Sequence, residues 1–498
     1  MGKHKNYMMC VQKRVLPFFL LLALLFVFVP FSFVQAGIKR SQKEQLADLK
    51  YSIDKIIQQQ DSSVHIGVEV ISLKNGQKLY QKNANHLFVP ASNLKMFTGA
   101  AALYYLGGDY KFETQLFTDG SIKNRKLQGN LYIKGSGDPE LAVADLESLA
   151  FEIKLRGIDV IEGNVVVDNF DFDGISQGPG WMWDEGSEEW ASRMDALLVN
   201  HSCVEVIVQP ADEPAKPPAI FLSPKTDFIV LDNCAKTSEA EDDLNVERAW
   251  RTRENRIVIK GQIPLNCAPK RYQVALEDPH LYAGNVYCEQ LKKQGIKING
   301  GVVVKPVPKT AALLAVHYSR PLALIIEKML KVSDNLMADC LFKKIGQVEL
   351  GSPGTWQRGA QAVRNFLARE VGLDTSELIV LDGCGQSRYN LVSPHQFVQF
   401  LCWMQEQFSM SSEFLTALPI SGIDGTMQNR LCNPALRARI RAKTGSMTGV
   451  SGLSGFVTTK DGEMLAFSLL INGFTKPVEE VRMGIEDQIC QCLANFTR

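Results

Sequence analysis

The sequence has no excess of basic residues and no repeated units. Lys and Arg together number 54, as do Asp and Glu, so the chain lacks the surplus positive charge that a phosphate backbone attracts. We therefore expect no nucleic-acid partner. No unit of roughly 20 to 50 residues recurs, which argues against a solenoid or a propeller. No uninterrupted apolar run of about 18 residues occurs after residue 36, so the remainder of the chain is not expected to cross a membrane.

The cysteines do not follow a metal-ligand pattern. Eleven occur, and their spacing matches no zinc-binding arrangement, so we predict no metal site. We also expect no cofactor. In an oxidising compartment, four cysteines that share one region of the chain could form one or two disulfides: Cys203, Cys234, Cys267 and Cys288. The alternative is that most are small buried apolar side chains.

The composition is that of an ordinary globular protein. Of 498 residues, 45% are apolar and 22% are charged, which argues against a fibrous, low-complexity or largely disordered chain. At roughly 150 residues per domain, this length corresponds to about three domains or to one large domain that carries an insertion. Residues 1–36 hold four basic and no acidic side chains, so the rest of the protein is mildly acidic.

The N-terminus has the three parts of a secretory signal. Residues 15–34 are nearly all apolar, follow the basic pair Lys13 and Arg14, and are followed closely by Ala36, a small residue suited to cleavage. We predict a signal peptide over residues 1–36 and export of the protein. A segment of this length can also stay in the bilayer as an anchor, so membrane association remains an alternative.

Apolar periodicity divides the chain into three segments. Helices are predicted near both ends, over 41–59, 92–106, 322–331, 336–345, 356–371 and 478–493. Strands are predicted there as well, over 64–73, 438–443, 452–458 and 463–470. A short strand is predicted at Leu378–Leu381, and Ser393 followed by Pro394 predicts a helix start. Short β-like runs fill the middle. We expect an α+β fold in which residues 37–109 and 308–498 form one core and residues 110–307 are inserted into it.

One candidate nucleophile lies at the start of the second predicted helix. Ser92 and Lys95 are three positions apart and therefore share a helical face, so the hydroxyl and the amine can meet. Lysine can act as a base toward serine only where its surroundings favour the neutral amine, as apolar neighbours and other cations do. A second Ser-x-x-Lys copy, Ser52 and Lys55, lies among polar residues and is expected to be a solvated helix face.

Two further short motifs occur later in the chain. Ser333–Asn335 (Ser-Asp-Asn) lies between two helical runs, where such residues alone would indicate only a helix cap. Lys443–Gly445 (Lys-Thr-Gly) lies on a strand and is followed by Ser446 and Met447. Its glycine lets a substrate backbone approach closely, and its lysine and threonine supply a charge and a hydroxyl for a carboxylate.

The joint occurrence of the three motifs resembles the signature of penicillin-binding proteins and serine β-lactamases. The chain is more specifically similar to the penicillin-binding protein 4 type of D-alanyl-D-alanine carboxypeptidase and endopeptidase, a class C low-molecular-mass penicillin-binding protein. Four longer segments carry this resemblance: Leu131–Pro139, Gly180–Glu185, Asp382–Leu391 and Pro419–Thr426. It implies a penicillin-binding/serine β-lactamase-like transpeptidase core, an antiparallel sheet flanked by helices, with a large β-rich insertion of two accessory domains.

The resemblance implies a role for each catalytic motif residue. Ser92 would attack the carbonyl of the penultimate D-alanine, and Lys95 would take its proton. Ser333 would relay a proton to the leaving amine, Asn335 would orient the substrate amide, and Lys443 would maintain the electrostatic network.

The resemblance also implies how the substrate is held. Thr444 and Ser446 would grip the terminal carboxylate beside Gly445, and the backbone N–H groups of Ser92 and Ser446 match the family's oxyanion hole. Peptidoglycan stem peptides are the expected substrates, in the periplasm. β-lactam antibiotics mimic D-Ala-D-Ala and should leave a long-lived ester on Ser92.

A second pocket would read the free end of the diaminopimelate side chain. The Trp-x-Trp segment Trp181–Trp183 places the acid that would bind this free end at Asp184 or Glu185, and the sequence does not separate the two. Arg388 and Met447 match other positions lining that pocket, although plain packing explains Met447 equally well.

The sequence departs from the family pattern at Cys384, where serine is usual, and at Gln386, where leucine is usual. We expect Cys384 to fill space near the site, or else to be an oxidisable thiol that blocks it.

Two other functions remain as alternatives. A β-lactamase or esterase would use the same three motifs, and a non-catalytic wall-binding protein could share the fold. The balance between carboxypeptidase and endopeptidase action, the oligomeric state and any peripheral membrane association stay open.

Overall fold

A computed structural model describes residues 41–498, and the predicted signal over residues 1–36 lies outside the described residues. The helices are numbered along the chain: α1 Gln42–Gln58, α2 Lys95–Leu106, α3 Val143–Leu155, α4 Pro279–Lys293, α5 Leu322–Val332, α6 Asn335–Leu350, α7 Trp356–Arg369, α8 Pro394–Glu406, α9 Ser411–Ala417, α10 Val478–Val481 and α11 Asp487–Asn495. One π-helical turn, Arg482–Glu486, joins the last two.

The strands are numbered in the same way: β1 His65–Ser72, β2 Lys78–Lys82, β3 Glu113–Thr118, β4 Ser121–Lys123, β5 Lys126–Gln128, β6 Leu131–Lys134, β7 Val160–Ile161, β8 Val165–Asp168, β9 Cys203–Gln209, β10 Ala219–Ser223, β11 Val230–Asn233, β12 Lys236–Ser238, β13 Asn245–Arg248, β14 Arg256–Lys260, β15 Gln262–Pro264, β16 Lys270–Ala275, β17 Lys297–Ile298, β18 Val302–Val304, β19 Ala312–Tyr318, β20 Ile440–Met447, β21 Val450–Thr458 and β22 Met464–Asn472.

The two ends of the described chain meet in one antiparallel sheet. Its strand order is β2-β1-β22-β21-β20, so the first two strands pair with the last three. Successive side chains of a strand point to opposite faces of the sheet. Leu469 and Ile471 of β22 therefore pack in one apolar cluster with α1 and α11, whereas Ala466 and Leu470 pack in another with α2 and α5–α8.

The helical layer places the sequence motifs side by side. Helix α2 is buried along most of its length, from Lys95 to Leu103, and packs in the same apolar cluster as α5 and α6. Helix α5 ends at Val332 and α6 begins at Asn335, so the second motif forms the turn between them. Strand β20, which carries the third motif, is at the edge of the sheet.

The middle of the chain has its own sheets and its own apolar cluster. Mixed sheets β18-β8-β6-β3-β19 and β17-β7-β5-β4 are accompanied by smaller sheets built from β9 to β16. The cluster beneath them draws its buried members from Leu116 to Leu314. Strand β19 pairs with β3, so this part of the structure continues to Tyr318, past the predicted boundary at residue 307.

Several local predictions are confirmed. The predicted helix start at Ser393 has a complete capping box, in which the Ser393 side chain accepts from the Gln396 N–H and the Gln396 side chain accepts from the Ser393 N–H. The second predicted helix begins as a 3-10 turn over Ala91–Leu94 and becomes α-helical at Lys95.

The strand predicted at Leu378–Leu381 is wrong. Only an isolated bridge joins Ile379 to Leu391. The Leu381 N–H donates to Asn390 Oδ1 at 2.8 Å, so a side chain of the following loop satisfies the backbone in place of a neighbouring strand.

The disulfide hypothesis is also wrong for this structure, because all ten cysteines between residues 203 and 492 are free thiols. Cys203 is buried with its sulfur 3.2 Å from Ser192 Oγ, Cys288 is buried within α4, and Cys234 is exposed. These sites belong to different elements and environments. Over residues 41–498, no helix is long and apolar enough to span a membrane.

Candidate active site

Ser92 lies on a tight turn that leads directly into a buried helix. The 3-10 turn Ala91–Leu94 follows Pro90, and Ala91 takes a positive φ of 47°. Ser92 is only partly buried, whereas Lys95 one turn further on has no exposed surface. The turn therefore presents the hydroxyl to a cleft while the amine stays behind it in the protein interior.

Lys95 makes three polar contacts. Its Nζ lies 2.8 Å from Ser92 Oγ, 2.7 Å from Asn335 Oδ1 and 2.7 Å from the carbonyl oxygen of Cys384. Burial lowers the pKa of Lys95, although nearby acidic groups, Asp339 among them, oppose this effect. Burial thus shifts Lys95 toward the neutral amine beside the hydroxyl.

Asn335 is held so that its carbonyl oxygen faces Lys95. Its Nδ2 donates to the carbonyl oxygen of Trp190 at 2.9 Å and to Gln386 Oε1 at 3.3 Å. The amide is thereby fixed in orientation because both of its polar atoms are engaged. Asn335 also begins α6, where Asp334 caps the helix by accepting from the Met337 N–H.

A second hydroxyl–amine pair lies on the other side of the cleft. Lys443 Nζ lies 2.8 Å from Ser333 Oγ and 2.8 Å from the carbonyl oxygen of Thr444. Ser333 has a left-handed backbone with φ 65°, which turns it away from α5. Burial holds the pKa of Lys443 well below its usual value, and the nearby charges of Lys95 and Arg482 lower it further.

Strand β20 runs directly beside the Ser92 turn. A Cβ atom added at Gly445 would lie 2.6 Å from Asn93 Nδ2, 2.9 Å from the Pro90 carbonyl oxygen and 3.0 Å from the Ser92 nitrogen. Only glycine fits so close an approach. Beyond it, Ser446 Oγ accepts from Arg482 Nη2 at 2.8 Å.

Two buried acids shape the loop that accepts a hydrogen bond from Lys95. Asp339 Oδ1 accepts from the Gly383 and Cys384 N–H groups at 2.9 and 3.1 Å. Asp382 accepts from the Gly385 N–H at 2.9 Å and from the Trp181 indole at 2.8 Å. Burial, followed by the charge of Asp382, raises the pKa of Asp339 to about 8.

Cys384 is fully buried within this loop. Its sulfur is 3.7 Å from Asp382 Oδ2 and 3.4 Å from the Gln386 backbone nitrogen. Burial, together with the charges of Asp339 and Asp382, raises the pKa of this thiol well above its ordinary value. A thiol held in its neutral form reacts slowly, which fits the space-filling interpretation rather than a reactive group.

The opposite wall of the cleft comes from the middle segment. Glu185 is partly buried and accepts a hydrogen bond from Gln386 Nε2, and burial raises its pKa. Asp184 is exposed at the same wall. Arg388 Nη1 donates to the Thr448 carbonyl oxygen at 3.2 Å, at the far end of β20.

The cleft between these walls has a volume of about 1270 Å³. Ten of the twelve residues singled out from the sequence line it: Ser92, Ser333, Asn335, Thr444, Gly445, Ser446, Met447, Arg388, Asp184 and Glu185. The other two, Lys95 and Lys443, are buried behind its surface and reach it through Ser92 and Ser333. Among residues 41–498, no group of three or more His, Cys, Asp or Glu side chains is arranged to hold a metal ion.

Sequence reasoning assigned no role to four residues of this region: Asp339, Trp190, Thr426 and Arg482. Asp339 carries a recognisable signal, because it is an acid in a buried stretch of α6 and lies four positions after Asn335, on the same face. Thr426 accompanies Thr444, with their hydroxyls 2.7 Å apart. Nothing in the local sequence indicates Trp190 or Arg482.

Comparison with known proteins agrees with this geometry. The profile of the "D-Ala-D-Ala carboxypeptidase 3 (S13) family" matches residues 49–496. A D-alanyl-D-alanine carboxypeptidase from Actinomadura sp. is 32% identical over 91% of this chain and 85% of its own length. The D-alanyl-D-alanine carboxypeptidase DacB of Haemophilus influenzae is 30% identical over 85% of this chain and 88% of its own length.

Solved structures share the fold. The crystal structure of penicillin binding protein 4 (dacB) from Haemophilus influenzae superposes with a TM-score of 0.79 at 30% identity, covering 88% of this chain and 98% of that one. The same protein in complex with a β-lactam gives a TM-score of 0.74 at 29% identity, covering 90% and 98%.

The fold and the matches define a serine peptidase of the penicillin-binding class. The chain belongs to the D-Ala-D-Ala carboxypeptidase 3 (S13) family. The fold class, the hydrolase class and the D-Ala-D-Ala carboxypeptidase activity that the resemblance implies are thereby confirmed.

Proposed function

We propose that the protein cleaves the terminal D-Ala-D-Ala bond of peptidoglycan stem peptides through an acyl-enzyme on Ser92. The contacts of Lys95 carry this proposal. Two of its partners, Asn335 Oδ1 and the Cys384 carbonyl oxygen, can only accept hydrogen bonds. A neutral amine would use its two N–H groups there and direct its lone pair at Ser92, the one partner with a proton to give.

In the first step the Ser92 oxygen attacks the carbonyl carbon of the penultimate D-alanine while Lys95 takes the hydroxyl proton. The backbone N–H groups of Ser92 and Ser446 stabilise the oxyanion that forms. When the peptide C–N bond breaks, Ser333 passes its proton to the leaving amine and takes up the proton that Lys95 received, which returns Lys95 to the neutral amine; Lys443 supports Ser333 at 2.8 Å. Water then attacks the ester with Lys95 again as the base, which releases the shortened peptide and restores Ser92.

The two ends of the cleft have opposite charge, and this polarity orients the substrate. Thr444 and Ser446 of β20 line the cleft where the terminal carboxylate would bind, and Arg482 supplies positive charge there. Glu185 and Asp184 lie on the wall from the middle segment and suit the free amine of a diaminopimelate side chain. Glu185 is the better candidate because it is partly buried and fixed by Gln386, whereas Asp184 is exposed.

The size of the cleft favours a second candidate activity on the same site. At about 1270 Å³ it exceeds the roughly 300 to 1,000 Å³ of typical small-ligand pockets, which leaves room for the second stem peptide of a cross-linked dimer. DD-endopeptidase action would use the same acyl-enzyme, since both reactions break a D,D-peptide bond.

The setting of the enzyme is part of the proposal. The apolar N-terminal segment with its basic pair and small-residue end supports export to the periplasm, where peptidoglycan lies. The pairing of β1 and β2 with β20–β22 supports one core made from both chain ends, into which the β-rich middle segment is inserted.

Purified pentapeptide and cross-linked dimer muropeptides test this function, with products followed by mass spectrometry. Loss of one alanine residue from pentapeptides indicates carboxypeptidase action, and splitting of dimers indicates endopeptidase action. Ser92→Ala should abolish both. Ser52→Ala is the matched control, because that partly buried serine belongs to the second Ser-x-x-Lys copy and its hydroxyl donates within its own helix, to the Asp48 carbonyl oxygen at 2.8 Å.

Two results would reject the proposal. Turnover of both muropeptides by Ser92→Ala would show that another group is the nucleophile. Rapid hydrolysis of nitrocefin without release of D-alanine would instead favour a β-lactamase.

A further inference from the structure

Arg482 is a cleft residue that none of the three motifs contains. It begins the π-helical turn Arg482–Glu486 near the end of the chain and lines the same cleft as Ser92. Its Nη2 donates to Ser446 Oγ at 2.8 Å. A π-helical turn within a helix is uncommon and frequently marks a functional site.

Among residues 41–498, the guanidinium of Arg482 makes one ion pair, with Glu479. This pair is long and exposed, with Nη1 3.6 Å from Glu479 Oε1 and a Glu479 side chain that is 67% exposed, so solvent screens it and it contributes little. The Nε atom of Arg482 is buried without a hydrogen-bond partner. Ser446 and Arg482 both line this end of the cleft, so it presents a guanidinium and a hydroxyl side by side.

The position of Arg482 is fixed by the same strands that carry Ser446. Glu486, at the other end of the π turn, is fully buried and accepts from Ser451 Oγ at 2.6 Å and from Arg430 Nη2 at 2.9 Å. Ser451 of β21 is the register partner of Ser446 in β20. The guanidinium is therefore pre-organised relative to Ser446 before any ligand arrives.

We propose that Arg482 is a specificity-determining residue that binds the terminal α-carboxylate of the D-Ala-D-Ala substrate. The inference rests on the proposed function and names one residue of its carboxylate site. A planar guanidinium forms charge-assisted hydrogen bonds with a carboxylate more favourably than an ammonium does, because its N–H groups match the two oxygens. Arg482 would share the carboxylate with the Ser446 hydroxyl that it already contacts.

Two matched peptides isolate this contact. One ends in D-Ala-D-Ala with its free carboxylate, and the other carries a C-terminal carboxamide in its place. We expect Arg482→Gln to lower the ratio of kcat/KM for the carboxylate over the amide by about 10- to 100-fold, the range for losing a charged hydrogen-bond partner. Arg482→Lys should recover part of the ratio because it keeps the charge.

The control variant is Lys476→Gln, which removes an exposed cation from the loop just before α10 and should leave the ratio unchanged. Equal losses on both peptides for Arg482→Gln would overturn the proposal, since they would mean that Arg482 acts through Lys443 or through the fold. An unchanged ratio would overturn it as well.

Binding measurements separate this inference from the proposed function. Calorimetry of the Ser92→Ala protein with the two peptides reports carboxylate preference without turnover. Adding Arg482→Gln to that variant should remove the preference, and a preference that persists would contradict the role of Arg482. If the protein without any substitution cleaved neither peptide, the result would count against the proposed acyl-enzyme on Ser92 but not against carboxylate binding by Arg482.

Discussion

Replacing Gly445 by alanine tests how closely strand β20 lies against the Ser92 turn. The added Cβ would lie 2.6 Å from Asn93 Nδ2 and 3.0 Å from the Ser92 nitrogen. Favourable contacts of carbon with heavy atoms lie at roughly 3.5 to 4.0 Å. Either the strand or the turn must therefore move by about 0.5 to 1 Å, which separates the Ser92 hydroxyl from the groups that hold the substrate.

The expected loss follows from that displacement. A misplacement of about 1 Å can cost about 100-fold in rate, so acylation by penicillin should slow by that order. Overpacking should also destabilise the fold by about 1 to 3 kcal/mol. The second-order rate of labelling by a fluorescent penicillin measures the first effect, and urea unfolding measures the second.

Gly301→Ala is the control for the general effect of a glycine substitution, because a Cβ there would meet nothing within 4 Å. Its labelling rate should equal that of the unmodified protein. Labelling of Gly445→Ala at the unmodified rate would refute the close approach of β20 to Ser92.

Three further predictions concern the same cleft. Because burial lowers the pKa of Lys95, the acylation rate should rise with pH as the ammonium loses its proton, with a midpoint below the ordinary pKa of 10.5. A midpoint at or above that value in a pH–rate profile would contradict the role of Lys95 as a neutral base. Glu185→Gln should lower kcat/KM for stem peptides with a free diaminopimelate amine far more than for peptides with that amine acetylated, and Asp184→Asn should have the smaller effect; the reverse order would assign the pocket to Asp184. Cys384 should resist iodoacetamide in the native protein, as peptide mass mapping would show, because the buried thiol keeps its proton; rapid alkylation there would restore the hypothesis of a redox-sensitive block.

Local patterns in the sequence were sufficient to predict which secondary-structure elements carry the motif residues. Ser92 and Lys95 lie on one helical face, and Ser333–Asn335 forms the predicted turn between helices, because these relations depend on a few adjacent residues. The capping box at Ser393 is local in the same sense. Such relations survive in any tertiary context that keeps the helix.

Contacts between segments that are distant in the chain could not be predicted from local sequence patterns. The contact of Arg482 with Ser446 depends on how the C-terminal helices pack on β20, which no local pattern encodes. The failed strand at Leu378–Leu381 has the same origin, since an apolar run becomes a strand only if a partner strand lies beside it. Asp339 could have been predicted as a site residue from the sequence, because a buried acid needs hydrogen-bond partners and its position on α6 faces the site.

The location of the penicilloyl ester tests the central claim most directly. The protein is incubated with penicillin, quenched and digested, and the modified peptide is sequenced by mass spectrometry. The account predicts one adduct per chain, on the Ser92 hydroxyl that lies 2.8 Å from Lys95 Nζ, and none in Ser92→Ala. An adduct on any other residue, or one that persists in Ser92→Ala, would contradict it.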